Sequence, residues 1–323
     1  MQSTLRNCLT ISIVGLLALA VVSHSNSAPK RQYKRIKPDT SKVDAAGTFF
    51  DDVFSQGLRG ERPPNLGSSA PVAPVGPPDG GSTDPMPMGG GDKSWAEIVS
   101  AQTIEDEIKK IKLELDKDVT TPTAFNGLGH KRCRKHFSML GMLFAIADLH
   151  TADVRWKEEA AAARDLFSRA GRNCKVATPA SYNEAKLRKQ DLADMVAGST
   201  LQAAGEPAAK VDWSLVCERS QLMKRVEKSV SRLRELTASA GEFKSNTDDV
   251  KHEAELLSAI SAALVQDGMP DGDDDDYAAF CDTMKDAGKE IVGATKLGNV
   301  EAASNAMGNI TRACDECHEI YRG

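Results

Sequence analysis

Trp95-Ala96-Glu97-Ile98 and Trp213-Ser214-Leu215-Val216 stand 118 residues apart, and each stretch opens a series of amphipathic segments. The first segment of each copy is marked by apolar residues three or four positions apart, which are Ile104, Ile108, Ile111 and Leu115 in one copy and Leu222, Val226, Val230 and Leu233 in the other. This spacing places the apolar side chains on one face of a helix. The sequence therefore predicts a loose internal duplication that begins with a helix in each copy.

Three further helical segments follow in each copy. We expect them near residues 130–149, 153–171 and 180–200 in the first copy, and near 248–266, 274–292 and 299–321 in the second. Turn-forming pairs such as Thr121-Pro122 and Thr178-Pro179 separate them. Because short connections force neighbouring helices to run antiparallel, the sequence predicts an all-α protein with two tandem antiparallel four-helix bundles, over residues 94–205 and 211–323.

The N-terminal part of the chain has a different composition. Arg6 precedes an apolar run over residues 9–22, and the small residues Ser25-Asn26-Ser27-Ala28 follow it. This pattern predicts a secretory signal peptide over residues 1–28, and the run falls short of the roughly 20 residues that a membrane-spanning helix needs. Membrane attachment would require this segment to stay uncleaved. Residues 29–93 are rich in Pro and Gly, which predicts a disordered linker, so we expect a periplasmic or otherwise exported protein.

Net charge limits the classes of partner. The 323 residues carry a formal charge of −5, and only 5% of them are aromatic. A protein that follows nucleic-acid phosphates needs a basic face, which this balance does not favour. We therefore expect protein or small-molecule partners and no nucleic acid.

Cys314-Asp315-Glu316-Cys317-His318 has the pattern C-x-x-C-H. On a helix, Cys317 and His318 follow Cys314 at i+3 and i+4, so the three side chains share one face. In an exported chain this spacing favours covalent attachment of a haem c, with the imidazole on the iron. The alternatives are two unconnected cysteines beside an exposed histidine, a thiol redox pair, or half of a zinc site.

The repeat fails at this motif. A shift of 118 residues lays Val196, Ser199 and Thr200 of the first copy over the two cysteines and the histidine of the second. The first copy therefore lacks the thiols and the imidazole that hold a covalent haem. We expect one haem per chain and a haem-less first bundle.

The ending Cys314-Asp315-Glu316-Cys317-His318-Glu319-Ile320-Tyr321-Arg322 resembles that of the class II c-type cytochromes, the cytochrome c′ family. The resemblance is good over residues 211–323 and weak over 94–205. It implies that both motif cysteines attach the haem and that His318 is the proximal ligand. It also implies a protein that is not an enzyme and transfers single electrons to a redox partner protein; it leaves homodimerisation open.

The second axial position decides the function within that family. Met223, on the first helix of the second copy, resembles the ligating methionine of low-spin members, and soft thioether sulfur suits an electron carrier. Packing in the core is its other interpretation, and Leu222 competes for the inward position. Arg225 is a candidate for pairing with haem propionates, or else a solvated cation. The first copy has Glu105 where the second has Met223.

Two other functions and one pairing of cysteines remain as alternatives. Five-coordinate iron would make the protein a binder of nitric oxide or carbon monoxide, and a vestigial haem would make it a structural envelope protein. The helix order places Cys133 near Cys174, and Cys217 near Cys281, at shared bundle ends, which predicts one disulfide in each copy. Buried free thiols are the alternative.

Overall fold

The computed structural model describes residues 93–201 and 206–322, so the predicted signal peptide and nearly all of the predicted linker lie outside the described residues. Every regular element of the described part is helical, which confirms the all-α prediction. The long helices are α1 (Ala101–Asp118), α2 (His130–Leu149), α3 (Ala160–Asn173), α4 (Pro179–Ala197), α5 (Arg219–Leu236), α6 (Thr247–Leu264), α7 (Asp275–Leu297) and α8 (Val300–Tyr321). Short helices span Lys93–Ala96, Pro122–Ala124, Trp213–Val216 and Ala240–Ser245, and a π-helical turn spans Phe125–Gly129.

Local chemistry fixes where these helices begin and end. Thr178 caps α4 by accepting a hydrogen bond from the Ser181 backbone N–H at 3.0 Å, and Asn299 caps α8 in the same way through Ala302 at 3.1 Å. These side chains satisfy N–H groups that have no partner inside the helix. Gly298 follows α7 in the left-handed conformation, with φ of 63°, where a side chain would be strained.

Helices of one copy pack in chain order, α1 on α2, α2 on α3 and α3 on α4, and α1 also touches α4. The second copy repeats this order from α5 to α8, and α8 touches α5. Where α7 approaches α6 closely, the residue between them is small. A Cβ added to Gly288 on α7 would lie 2.9 Å from the backbone oxygen of Ala254 on α6. In each copy four helices pack on one another, and one hydrophobic core includes residues of both copies.

The two copies are not separate domains, because residues 93–322 belong to one compact unit. Trp95 and Trp213, which open the two copies, stack with ring centroids 5.7 Å apart, and both are buried. The first helix of each copy packs on the second helix of the other, α5 on α2 and α1 on α6. The two copies are thus joined through a buried interface.

Candidate functional site

The motif C-x-x-C-H lies in the last two turns of α8. Cys314 and Cys317 are half-buried, and His318 is exposed. They continue the stripe of α8 that packs inward, whose fully buried members are Ala303, Ala306, Met307, Ile310 and Ala313. The helix therefore brings both thiols to the edge of the packed interior and leaves the imidazole at the surface beside them.

Cys314 lies against α7. Its Sγ is 3.7 Å from the Sδ of Met284, which is 6% exposed. Burial raises the pKa of the Cys314 thiol to about 11, so this thiol is neutral at pH 7. A neutral thiol in apolar surroundings differs from the low-pKa thiolates of redox pairs and metal sites.

Cys317 lies in a more polar part of the same site. Burial raises the pKa of its thiol, although the positive charge of Arg219 acts in the opposite direction. The Arg219 guanidinium also lies over the ring of Tyr277, 5.6 Å from its centroid. The Tyr277 hydroxyl is buried, and both the Arg219 guanidinium and the Cys281 thiol lie close enough to act on its pKa.

A hydrogen bond and an aromatic contact join the end of α8 to the start of α7. The Tyr321 hydroxyl donates to Oδ1 of Asp274 at 2.5 Å, and the Tyr321 ring lies edge-on to Tyr277, with centroids 5.2 Å apart. The same Asp274 oxygen caps α7 by accepting the N–H groups of Asp276 and Tyr277 at 3.0 Å. The turn of α8 that carries the motif is thereby fixed against its neighbour.

Met223 occupies the first turns of α5, as the sequence predicts, and is half-buried against the core. It follows Arg219 at i+4, so the two side chains lie on neighbouring positions of one helix face. Arg219 lies over the Tyr277 ring, which packs on Tyr321 of α8, so the start of α5 lies near the motif end of α8. Leu222 is completely buried.

Arg225 lies in a buried group of charged residues, and this corrects the expectation that its side chain contacts haem propionates. Its guanidinium is 4% exposed and donates to Glu107 at 2.8 and 3.3 Å and to Glu253 at 2.7 and 3.1 Å. A bond to Ser229 completes the set. The sequence shows a cation two residues from a candidate ligand, but it does not show that two carboxylates face it from other helices.

The matching end of the first copy is built differently. Helix α4 ends at Ala197, and Gly198 follows with φ of 99°, so Ser199 and Thr200 lie beyond the helix. These positions match Cys317 and His318, and they line a cavity of about 640 Å³ together with Asp191, Asp194, Gly198 and Leu201. Glu105, which matches Met223, accepts the Arg155 backbone N–H at 3.2 Å. The first copy thus lacks the helical turn as well as the residues of the motif.

The other cysteines are buried thiols, and no disulfide forms within the described residues. Burial raises the pKa of Cys174, of Cys217 and of Cys281 to about 12. Cys174 contributes to the raised pKa of Cys133, and Cys317 contributes to the raised pKa of Cys281. The two expected disulfides are therefore corrected to free thiols in a close-packed core.

Neither a metal-binding cluster nor a membrane-spanning helix is found in the part of the chain that the structure describes. No group of three or more His, Cys, Asp or Glu side chains there has metal-binding geometry. Among the same residues, no helix has the length and apolar character needed to cross a bilayer.

No protein-family model matches this chain, and neither a curated protein nor a solved structure shows significant similarity to it. The resemblance to class II c-type cytochromes therefore remains a prediction from the motif. The residues present fit a haem c in their chemistry: two neutral thiols and an imidazole on one helix face, with an apolar neighbour in Met284.

Proposed function

We propose that this protein is an exported c-type cytochrome that carries one haem on Cys314 and Cys317 and transfers single electrons. The observation that supports this most is the placement of both thiols and His318 on one face of α8, at the edge of a packed helical core. Export is part of the proposal because attachment through this motif takes place outside the cytoplasm. When bound, the haem supplies a reversible one-electron change at its iron.

The side chains around the motif have distinct roles in this proposal. Cys314 and Cys317 would bind the haem covalently, and the imidazole of His318 would coordinate its iron. Met284 excludes water from the Cys314 side. Arg219 supplies a positive charge near Cys317, which favours an anionic group there. Met223, one turn further along α5 than Arg219, is the candidate second iron ligand.

Gas binding is the second candidate function. Leu222 is completely buried beside the half-buried Met223, so an apolar side chain is available at the same turn of α5. If Leu222 rather than Met223 faced the iron, the open position would take nitric oxide or carbon monoxide. An electron carrier needs a redox partner protein, whereas a gas binder or an envelope protein with a vestigial haem does not.

The test is purification of the full chain from a host that attaches haem to this motif. We expect one iron per chain and a haem that stays with the protein after denaturation in acidified acetone, because two thioether bonds survive this treatment. Haem that is extracted into the solvent, or a protein without iron, contradicts the proposal. Reversible one-electron reduction in a redox titration separates the electron carrier from a protein with a vestigial haem.

A further inference from the structure

The first two turns of α5 are bound from outside their own copy. Glu218 immediately precedes α5, and its carboxylate receives two bonds from Arg134 on α2 of the first copy. The Arg134 Nε atom lies 3.0 Å from Oε1 of Glu218, and one terminal nitrogen contacts the other oxygen. This paired geometry fixes the direction of the carboxylate as well as its distance.

Two turns further along α5, Arg225 is bound by Glu107 on α1 of the first copy. Both carboxylate oxygens of Glu107 accept from the guanidinium, and Oε2 also contacts Nε2 of His252 at 2.9 Å. Glu107, Arg225 and His252 are all less than 10% exposed. A buried carboxylate with these partners leaves Arg225 little freedom to move.

Met223 lies between these two attachment points. Glu218 and Arg225 are seven residues apart, which is about two helical turns. Arg225 and Met223 lie on nearly opposite faces of α5, because two residues turn a helix by about 200°. One face of this segment is therefore bound to the first copy, while Arg219 on another face lies over Tyr277 near the motif, with Met223 one turn further along.

We propose that the haem-less first copy positions the first two turns of α5, as the second subunit of a dimer would. Glu107 and Arg134 are its positioning residues. This inference rests on the proposed function for its consequence, which is the placement of Met223 relative to the haem iron. It gives the duplicated copy a role that needs no haem of its own. It also fits the position of two ion pairs between the copies, Arg134 with Glu218 and Glu107 with Arg225, on either side of the candidate ligand.

The chain offers a matched control within the same interface. Oε2 of Glu255, on α6, accepts from the Ser100 N–H at 3.1 Å, from the Ser100 hydroxyl at 2.6 Å and from the Thr103 hydroxyl at 2.6 Å. This contact also joins the two copies, but it holds α6 and not α5. Thr103→Ala therefore weakens the interface without touching the segment that carries Met223.

The first experiment measures amide hydrogen exchange in the full chain. Glu107→Gln should speed exchange of residues 219–225 about tenfold relative to the wild type, because the buried Arg225 loses a charged partner. Arg134→Gln, at a half-exposed pair, should act in the same direction by a smaller factor. Thr103→Ala should leave these amides unchanged. Equal exchange in all three variants and the wild type overturns the inference.

The second experiment records the spectrum of the haem-loaded protein. Glu107→Gln and Arg134→Gln should weaken the sulfur-to-iron charge-transfer band and raise carbon monoxide binding by the ferrous protein, whereas Thr103→Ala should change neither. If the wild type holds haem and the spectra of Glu107→Gln and Arg134→Gln match that of Thr103→Ala, the positioning role is overturned. The proposed function is then unaffected. A wild type without haem overturns the proposed function, and hydrogen exchange then decides whether the first copy holds α5. If Glu107→Gln does not fold, Arg134→Gln decides both measurements.

Discussion

Glu107 and Arg225 form a buried ion pair, 2.8 Å between Oε1 and Nε, and they occupy equivalent positions of the two copies, 118 residues apart. Trp95 and Trp213 have the same relationship and also touch. Contact between equivalent residues is what a two-fold axis produces at the interface of a homodimer. The two copies of this chain are therefore arranged like the subunits of a symmetric dimer, with opposite charges where a true dimer has identical residues.

This ion pair predicts a loss of stability in acid. Burial raises the pKa of Glu107, but a hydrogen bond from His252 and the charge of Arg225 outweigh it and hold this pKa far below its usual range; the pKa of Glu253 is lowered too. A depressed pKa in the folded state stabilises the protein fully above the unfolded value of about 4.3, and that stability is lost as the pH falls toward the folded value. The contribution of Glu107 to the free energy of unfolding should fall by about 2 kcal/mol between pH 5 and pH 3.

Urea unfolding at pH 5, 4 and 3 measures this effect. Other carboxylates titrate in the same range, so the informative quantity is the difference between the wild type and Glu107→Gln. That difference should shrink as the pH falls, because the unfolded wild type takes up a proton at Glu107 between pH 5 and pH 3, whereas glutamine takes up none. A difference that stays constant from pH 5 to pH 3 contradicts the low pKa of Glu107.

The periodicity of apolar residues was sufficient to locate all of the long helices. The segment predicted near 153–171 begins seven residues before α3, and the one near 274–292 ends five residues before α7 does. Those near 130–149, 248–266 and 299–321 agree with α2, α6 and α8 to within two residues at each end. This agreement arises because each helix buries one continuous apolar face, which a spacing of three and four reveals directly. The π-helical turn at Phe125–Gly129 was not predicted, since its residues carry no comparable pattern.

Contacts between the copies could not be predicted from this pattern. Glu107, Arg225 and Glu253 are charged residues on amphipathic helices, and such residues usually face water. Only the fold shows that three helices bring them together. Tyr277 and Met284 were missed at the candidate site for the opposite reason, because apolar residues at helical spacing are typical of any core. The motif C-x-x-C-H was identifiable because its spacing is rare.

Close packing of α7 on α6 predicts opposite effects for two glycine substitutions. Gly288→Ala places a Cβ against Oγ of Ser258 and 2.9 Å from the backbone oxygen of Ala254, so α7 must shift, at a cost of about 1–3 kcal/mol. Gly308→Ala on α8 meets nothing within 4 Å, and it should stabilise the protein by up to about 1 kcal/mol through helix propensity. Thermal unfolding measures both changes. Equal destabilisation by the two variants contradicts the close approach of α6 and α7.

The two motif cysteines should contribute separately to haem attachment. If each thiol forms one bond, Cys314→Ala and Cys317→Ala should each leave a haem bound through a single thioether, with the absorption bands of the reduced protein shifted from those of the wild type. The double variant should lose its haem in acidified acetone. Cys281→Ala is the control, because Cys281 is a buried thiol outside the motif, and its haem should stay attached.

The identity of the second iron ligand predicts different results for two methionines. Met223 is half-buried on α5, and Met284 is buried against Cys314 on α7. Met223→Leu should remove the sulfur-to-iron charge-transfer band of the ferric protein and allow the ferrous protein to bind carbon monoxide, because leucine offers no sulfur. Since this substitution nearly conserves volume, packing should change the free energy of unfolding by less than about 1.5 kcal/mol.

Met284→Leu separates ligation from general effects of removing a methionine near the motif. The substitution replaces the methionine that contacts Cys314 with a leucine of nearly equal volume. The charge-transfer band and the resistance to carbon monoxide should therefore be preserved. Loss of the band in Met284→Leu, with the band intact in Met223→Leu, would assign the ligand to α7. If the native ferrous protein binds carbon monoxide readily and neither substitution alters this, no methionine occupies the second axial position. The electron-carrier proposal then gives way to gas binding, with Leu222 as the apolar residue at that position.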